Sequence, residues 1–220
     1  VYKRQLETPY LQPPVTWASL RYFWFEPYFR MYIPVTYSVW AAVVQATTKW
    51  SASVFHALNI CLHTVNVVLV WMVIRQFGIS IVAASLGALV FALHPLQVEA
   101  VAWISAFKDV LSGCLSLLGI NFWLQFVVSS RSVGKYRARA FALTAGVCFL
   151  LAVLAKPGAV VAPILALMLG HGLRLVLPSV APRPRAALML LFWAIVIGFG
   201  ASAMTLSLQS AQLLYDPAPW

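Results

Sequence analysis

One short tract between two apolar runs combines carboxylates, an ammonium group and an imidazole. It reads HPLQVEAVAWISAFKD over residues 94–109 and contains His94, Glu99, Lys108 and Asp109. The whole chain has only five acidic residues, and two of them lie here. A charge beside a membrane span is costly unless it is paired, hydrated or used. The alternative is an interface loop whose charges simply meet water, but we expect the chemistry of the protein in this tract.

A second interruption of an apolar run supplies another candidate cation. Lys156-Pro157 breaks the run that otherwise extends over residues 141–169. Proline ends or kinks a helix because it lacks an N–H and its ring clashes with the preceding turn. A lysine at such a break either extends its side chain to the interface or directs a cation at a phosphate. Lys156 is therefore a candidate for substrate binding.

Polar residues also form a stripe along the first apolar run, at spacings of three, four and three residues. This spacing places them on one helical face, and they are His56, Asn59, His63 and Asn66. A polar stripe on a membrane helix usually bonds neighbouring helices. His56 is nearest the outer end, so it is the histidine that we expect to line a cavity.

The composition places these groups in a membrane protein. Hydrophobic residues make up 62% and charged residues 9% of the 220 residues, and the mean hydropathy is +0.87. Soluble domains carry about 25% charged residues, so the predicted fold class is all-α, a polytopic membrane helix bundle. The net charge of +10 indicates orientation by the positive-inside rule, with no role for nucleic acid. The three cysteines lie in apolar runs and predict neither a disulfide framework nor a metal site.

Six apolar segments approach the roughly 17–25 residues that a membrane span needs, although the second is short. Before them, residues 1–50 form one unit, an outer loop with two interfacial helices, one after Thr16 and one after Pro34. Residues 51–220 form the second unit, the transmembrane bundle. We expect the chain to be a fragment of a longer protein. The predicted spans are residues 52–76, 80–94, 107–128, 141–155, 158–176 and 186–207.

Loop charges predict the orientation of the bundle. Arg75 and the basic loops at residues 129–140 and 173–185 fall on one side, which the positive-inside rule makes cytoplasmic. All carboxylates then fall on the outer side, so a general base has to act there. These carboxylates are Glu7, Glu26, Glu99, Asp109 and Asp216.

Five segments, taken in order, resemble a known family. They are YIPVTYS from Tyr32, FHALNICLHTVN from Phe55, FALHPLQVEAVAWIS from Phe91, KDVLS from Lys108 and LAKP from Leu154. The series is similar to the membrane half of the transmembrane and tetratricopeptide-repeat O-mannosyltransferases and their bacterial relatives, which belong to the GT-C glycosyltransferase class. The resemblance covers roughly residues 8–172, and its HPxxVEAVAW…KDVLS tract is the specific part.

The resemblance implies a GT-C-like fold and transfer of a sugar, such as mannose, from a polyprenyl-phosphate donor to a protein Ser or Thr hydroxyl. It implies a site on the periplasmic or luminal face of a bacterial inner membrane or endoplasmic reticulum. It also implies an acidic pair shortly before Val1, which would serve as the catalytic base, and tetratricopeptide repeats downstream of the chain. It leaves open whether a divalent cation takes part. Sugar transfer needs a carboxylate base and cations for the departing phosphate. Within this chain we predict Glu99 and Asp109 as catalytic residues that position the donor or acceptor or hold the lysines. We predict His94, Lys108, Lys156 and His56 as substrate-binding.

Two other classes of function remain open from the sequence. A transporter or lipid-handling protein would use the same ionisable cluster as a binding or proton site, and it predicts polar residues at mid-membrane depth in several spans. A non-catalytic membrane anchor for repeats predicts no acidic motif upstream of Val1.

Overall fold

In the part of the chain that the computed structural model describes, all regular secondary structure is helical. The described residues are 11, 13–25, 32–47, 51–128, 135–176, 200 and 203. Two short 3₁₀ segments, Ile104–Ala106 and Pro157–Val160, accompany the α-helices. The α-helices are α1 Trp17–Phe25, α2 Pro34–Thr47, α3 Ala52–Gln76, α4 Ile81–Leu93, α5 Leu96–Ala102, α6 Phe107–Val128, α7 Lys135–Ala155 and α8 Val161–Val176.

Four helical segments are long and apolar enough to cross a membrane: Ala52–Gln76, Ile104–Val128, Tyr136–Ala155 and Pro157–Val176. Helices α4 and α5 pass the same test only as a pair, and they are bent by 62° at the break between them. The prediction of an all-helical fold is therefore confirmed in the described residues, which hold four helices that could cross a membrane by length and composition, or five if the bent pair is one span. The predicted span at residues 186–207 lies almost entirely outside the described residues.

The second predicted span is as short as expected, and one predicted boundary differs from the structure. Helix α4 has 13 residues, which correspond to a length of about 20 Å, so alone it is too short for the roughly 30 Å hydrocarbon layer. Helix α7 begins at Lys135, six residues before the predicted start at 141. Lysine, arginine and alanine favour helix, so the helix continues beyond its apolar part and carries Arg137 and Arg139 in its first turns.

Helix α6 lies at the centre of the bundle and packs against α3, α7 and α8. Glycines permit two of these close approaches. A Cβ atom on Gly119 would lie 2.7 Å from the Phe149 ring of α7, and one on Gly170 of α8 would lie 2.8 Å from Nε1 of Trp123. Real Cβ atoms do not approach other atoms so closely, so a larger residue at either position would separate the helices.

The alternating direction of the helices gives the bundle two chemically different ends. The arginine end is defined by the described residues Arg75, Arg137, Arg139 and Arg174, which lie where α3 and α8 end and where α7 begins. The site end is defined by the breaks after Leu93 and after Ala155, and it holds both described acidic residues, Glu99 and Asp109. For these two carboxylates the placement agrees with the predicted grouping on one side, whereas Glu7, Glu26 and Asp216 lie outside the described residues.

Helices α1 and α2 cover the site end through an aromatic core. The Trp40 ring of α2 lies 6.4 Å from the rings of both Phe55 and Phe107, at the beginnings of α3 and α6. Both helices form where the sequence predicted them, after Thr16 and at Pro34. Helix α1 leaves Trp17 80% exposed, as an interfacial helix would.

Partial burial raises the pKa of Tyr32, whose hydroxyl donates to the Trp24 carbonyl at 3.0 Å.

Three members of the polar stripe on α3 bond neighbouring segments, as predicted. The Asn59 amide donates to the carbonyls of Val101 and Trp103, at 3.1 and 3.0 Å. The His63 Nε2 atom contacts the Ala92 carbonyl of α4 at 3.2 Å. Asn66 donates to a carbonyl in the first turn of α6 at 3.1 Å. Because Asn59 and Asn66 are both buried, their side chains serve helix packing.

Candidate functional site

The candidate site is assembled at three breaks in the helices of the site end. The first break separates α4 from α5 at His94, whose backbone is extended with φ −63° and ψ 130°. Its side chain turns back, and Nδ1 accepts a hydrogen bond from the Leu96 amide at 3.2 Å. A neutral imidazole that accepts at Nδ1 carries its proton on Nε2. The exposed His94 ring therefore presents an N–H donor at this end of the bundle.

The second break separates α5 from α6 at Trp103. Helix α5 carries Glu99 on an exposed surface and ends at Ala102. Trp103 lies beyond the helix in extended conformation. After one 3₁₀ turn, α6 begins at Phe107 with Asp109 in its first turn. A carboxylate there is stabilised by the positive end of the helix dipole.

The third break follows α7 at Lys156, whose backbone is extended with φ −154° and ψ 121°. Pro157 then opens the 3₁₀ segment that leads into α8. The helix stops at the place where the sequence predicted it, because proline offers no N–H to the carbonyl one turn earlier. The break leaves the Lys156 side chain at the site end, beside the beginning of α6.

The structure joins the second and third breaks by an ion pair between Lys156 Nζ and Asp109 Oδ1. The Lys156 side chain is 41% exposed and the Asp109 side chain 32% exposed, whereas the contacting oxygen itself is shielded from solvent. Two residues that are distant in sequence and were predicted for the same site are therefore in direct contact. Because both side chains are partly exposed, they can exchange partners at a modest cost.

The other predicted residues lie at the same end of the bundle. Lys108 precedes Asp109 in the first turn of α6 and is half-buried, and His56 is exposed on the second turn of α3. His94 and Glu99 are exposed on either side of the first break. All six predicted residues thus lie towards the same end of the bundle, and of these Asp109 and Lys156 are in direct contact.

Sequence reasoning missed the buried groups that hold these breaks in place. The hydroxyl of Thr36 in α2 donates to the Ala155 carbonyl at 2.9 Å and is fully buried. Besides packing α3 against α5, Asn59 holds the α5–α6 break, because its acceptors are the Val101 carbonyl near the end of α5 and the Trp103 carbonyl at the break. Thr36 lies within the YIPVTYS segment of the resemblance, and this was the only indication in the sequence of a role in supporting the site.

The described residues do not form a metal site. Among them, no group of three or more His, Cys, Asp or Glu side chains is placed to hold a metal ion. Divalent cations of the kind that bind phosphates need several oxygen ligands, and Asp109 already contacts Lys156. The described donor set does not fit the divalent cation that the sequence left possible, and no step below depends on one.

Comparison of the chain with protein-family models, with curated protein sequences and with solved structures found no match.

Proposed function

We propose that this chain is the membrane part of a glycosyltransferase that moves a sugar from a polyprenyl-phosphate donor to a protein Ser or Thr hydroxyl. The observation that carries the proposal is the ion pair between Lys156 and Asp109 at the site end. It places a cation that can bind phosphate next to apolar helices that can accommodate a lipid tail. The resemblance to the O-mannosyltransferases favours mannose as the sugar and the outer membrane face as the location of the site.

In this proposal, Lys156 binds the donor phosphate. The bond between the anomeric carbon and the phosphate oxygen breaks during transfer, and negative charge accumulates on the departing polyprenyl phosphate. A fixed ammonium group beside that oxygen stabilises the charge as it develops. Asp109 holds Lys156 in place while the site is empty. Because Asp109 is partly exposed, the donor phosphate can replace its carboxylate as the partner of Lys156. Lys108 and the Nε2–H of His94 are further donors for phosphate or sugar oxygens.

The acceptor hydroxyl attacks the anomeric carbon, and its proton has to pass to a base. Glu99 is the exposed carboxylate at the site end, whereas Asp109 is engaged with Lys156. We therefore assign the acceptor side to Glu99 and the donor side to Asp109, with His56 as a further contact to substrate. The proton moves from the hydroxyl to a carboxylate base, and the products are the glycosylated protein and the free polyprenyl phosphate.

The transporter alternative receives less support from the buried polar groups. Asn66 in α3 and Asn121 in α6 lie deep within their helices, but both donate to backbone carbonyls of a neighbouring helix. Amide groups used in this way fasten helices together and do not line a pathway. The proposal also includes an acceptor protein and the lipid bilayer as partners, and no nucleic acid.

The test uses the full-length protein in proteoliposomes, with labelled polyprenyl-phosphate mannose and a Ser/Thr peptide. Glu99→Gln, Asp109→Asn and Lys156→Gln should each lower kcat/KM by about 10²-fold, the effect of removing one charge-stabilising group. Arg139→Gln is the matched control, because it removes an exposed cation from the arginine end and should leave transfer unchanged. Near-normal rates for both Glu99→Gln and Asp109→Asn at equal expression would refute the assignment.

A further inference from the structure

The last turn of α7 leaves a backbone carbonyl without its usual helical partner. In a continuous helix, the amide of residue 159 would donate to the carbonyl of residue 155. Here the Ala159 amide donates instead to the Lys156 carbonyl at 3.0 Å. The Ala155 carbonyl therefore needs another donor, because an unsatisfied buried carbonyl is costly.

Thr36 supplies that donor from a distant part of the chain. Its hydroxyl donates to the Ala155 carbonyl at 2.9 Å across a sequence separation of 119 residues. Thr36 is fully buried in α2, and its branched Cβ restricts the side chain to few rotamers. The hydrogen bond thus fixes the α7 backbone immediately before Lys156.

The Asp109 side of the ion pair has separate supports. Asn66 donates to the Val110 carbonyl at 3.1 Å, and the Ser112 hydroxyl donates to the Asp109 carbonyl at the same distance. None of these hydrogen bonds involves α2, which reaches the beginning of α6 through the contact between the Trp40 and Phe107 rings. Loss of the Thr36 hydroxyl should therefore move Lys156 relative to an otherwise unchanged Asp109.

We propose that Thr36 is a positioning residue that acts through Lys156. By holding the Ala155 carbonyl, it fixes the backbone from which Lys156 reaches Asp109 and, if the proposed function holds, the donor phosphate. The part of the chain that precedes the membrane spans then determines the geometry of a cation inside the membrane site. The first half of this inference concerns geometry alone, whereas the second half rests on the proposed function.

A matched pair of variants separates the hydroxyl from the shape of the side chain. Thr36→Val keeps the volume and the branching but removes the donor, whereas Thr36→Ser keeps the donor. Each is made in the full-length protein carrying Asp109→Cys and Lys156→Cys, with the exposed Cys61 changed to Ser. The readout is the rate at which a mild oxidant forms the disulfide between the two introduced cysteines.

Thr36→Val should slow disulfide formation about fivefold, a factor that corresponds to one lost hydrogen bond. Thr36→Ser should keep the rate of the parent. Thr36→Ala serves if the valine variant fails to fold, because it is smaller and cannot clash. A rate that does not fall in the variant without the hydroxyl overturns the inference.

Transfer kinetics then distinguish this inference from the proposed function. With Lys156 present, Thr36→Val should raise the KM for the donor more than it lowers kcat; in a Lys156→Gln background it should have no further effect. An equal loss in both backgrounds would mean a merely structural role and would overturn the inference. Slower disulfide formation in a protein that transfers no sugar would retain the geometric role of Thr36 and reject the proposed function.

Discussion

The ion pair between Asp109 and Lys156 should make a measurable contribution to stability. Fully exposed ion pairs contribute about 0–1 kcal/mol, whereas removing one partner of a buried pair costs about 3–5 kcal/mol. Asp109 and Lys156 are 32% and 41% exposed, and their contacting oxygen is shielded from solvent. We therefore expect a coupling free energy of about 1–2 kcal/mol, between the two limits.

A double-mutant cycle measures this coupling directly. Asp109→Asn, Lys156→Gln and the double variant are compared with the parent by thermal unfolding of the full-length protein in detergent. The coupling should shrink as salt rises from about 0.1 M to about 1 M, because the screening length falls from about 10 Å to about 3 Å. It should also shrink when a short-chain polyprenyl phosphate is added, since the phosphate competes with Asp109 for Lys156.

Two results would refute this reasoning. A coupling of zero within about 0.3 kcal/mol, the usual scatter of additive sites, would mean that the two side chains do not interact in solution. A coupling that does not change with salt would mean that the contact is not electrostatic.

Three further predictions concern the supports of the site. Gly119→Ala should lower the Tm, because the added Cβ lies 2.7 Å from the Phe149 ring and such overpacking costs about 1–3 kcal/mol. Adding Phe149→Leu should restore the Tm, and an unchanged Tm in Gly119→Ala would contradict the close packing. Asn121→Leu should lower the free energy of unfolding by about 1 kcal/mol, because the amide donates to two carbonyls. Unfolding in detergent measures this loss, and unchanged stability would contradict the prediction. Burial raises the pKa of Tyr32 in the folded protein, so the unfolded chain loses the phenol proton at a lower pH than the folded protein does. Stability should therefore fall above about pH 10. Tyr32→Phe should reduce the drop in Tm between about pH 9 and about pH 11, and an equal drop in both proteins would exclude this phenol as the source.

The sequence predicted the helix breaks well because local chemistry determines them. Pro157 removes an N–H from the ladder, and the break after α7 follows directly from that loss. Likewise, His94-Pro95 separates two apolar helices without any need for tertiary contacts. The polar stripe on α3 was predictable for the same kind of reason, since a buried amide in a membrane has to find a partner on another helix.

The contacts between distant residues were not predictable in the same way. The identities of Asp109 and Lys156 made each of them a candidate, but only the packing of α7 against α6 brings them together. A threonine inside an apolar helix resembles an ordinary packing residue, so Thr36 gave no indication that it bonds Ala155. The early start of α7 was missed because hydropathy identifies the apolar part of a helix and not its charged first turns.

The amides of α3 also have a consequence for how the protein is made. Helix α3 leaves the ribosome before the segments that accept its hydrogen bonds, because the carbonyls bonded by Asn59 and Asn66 belong to Val101, Trp103 and Val110. A newly inserted α3 therefore exposes two amide groups that only later segments satisfy. Its stable release into lipid depends on the arrival of α6, so α3 to α6 should leave the insertion machinery as one group.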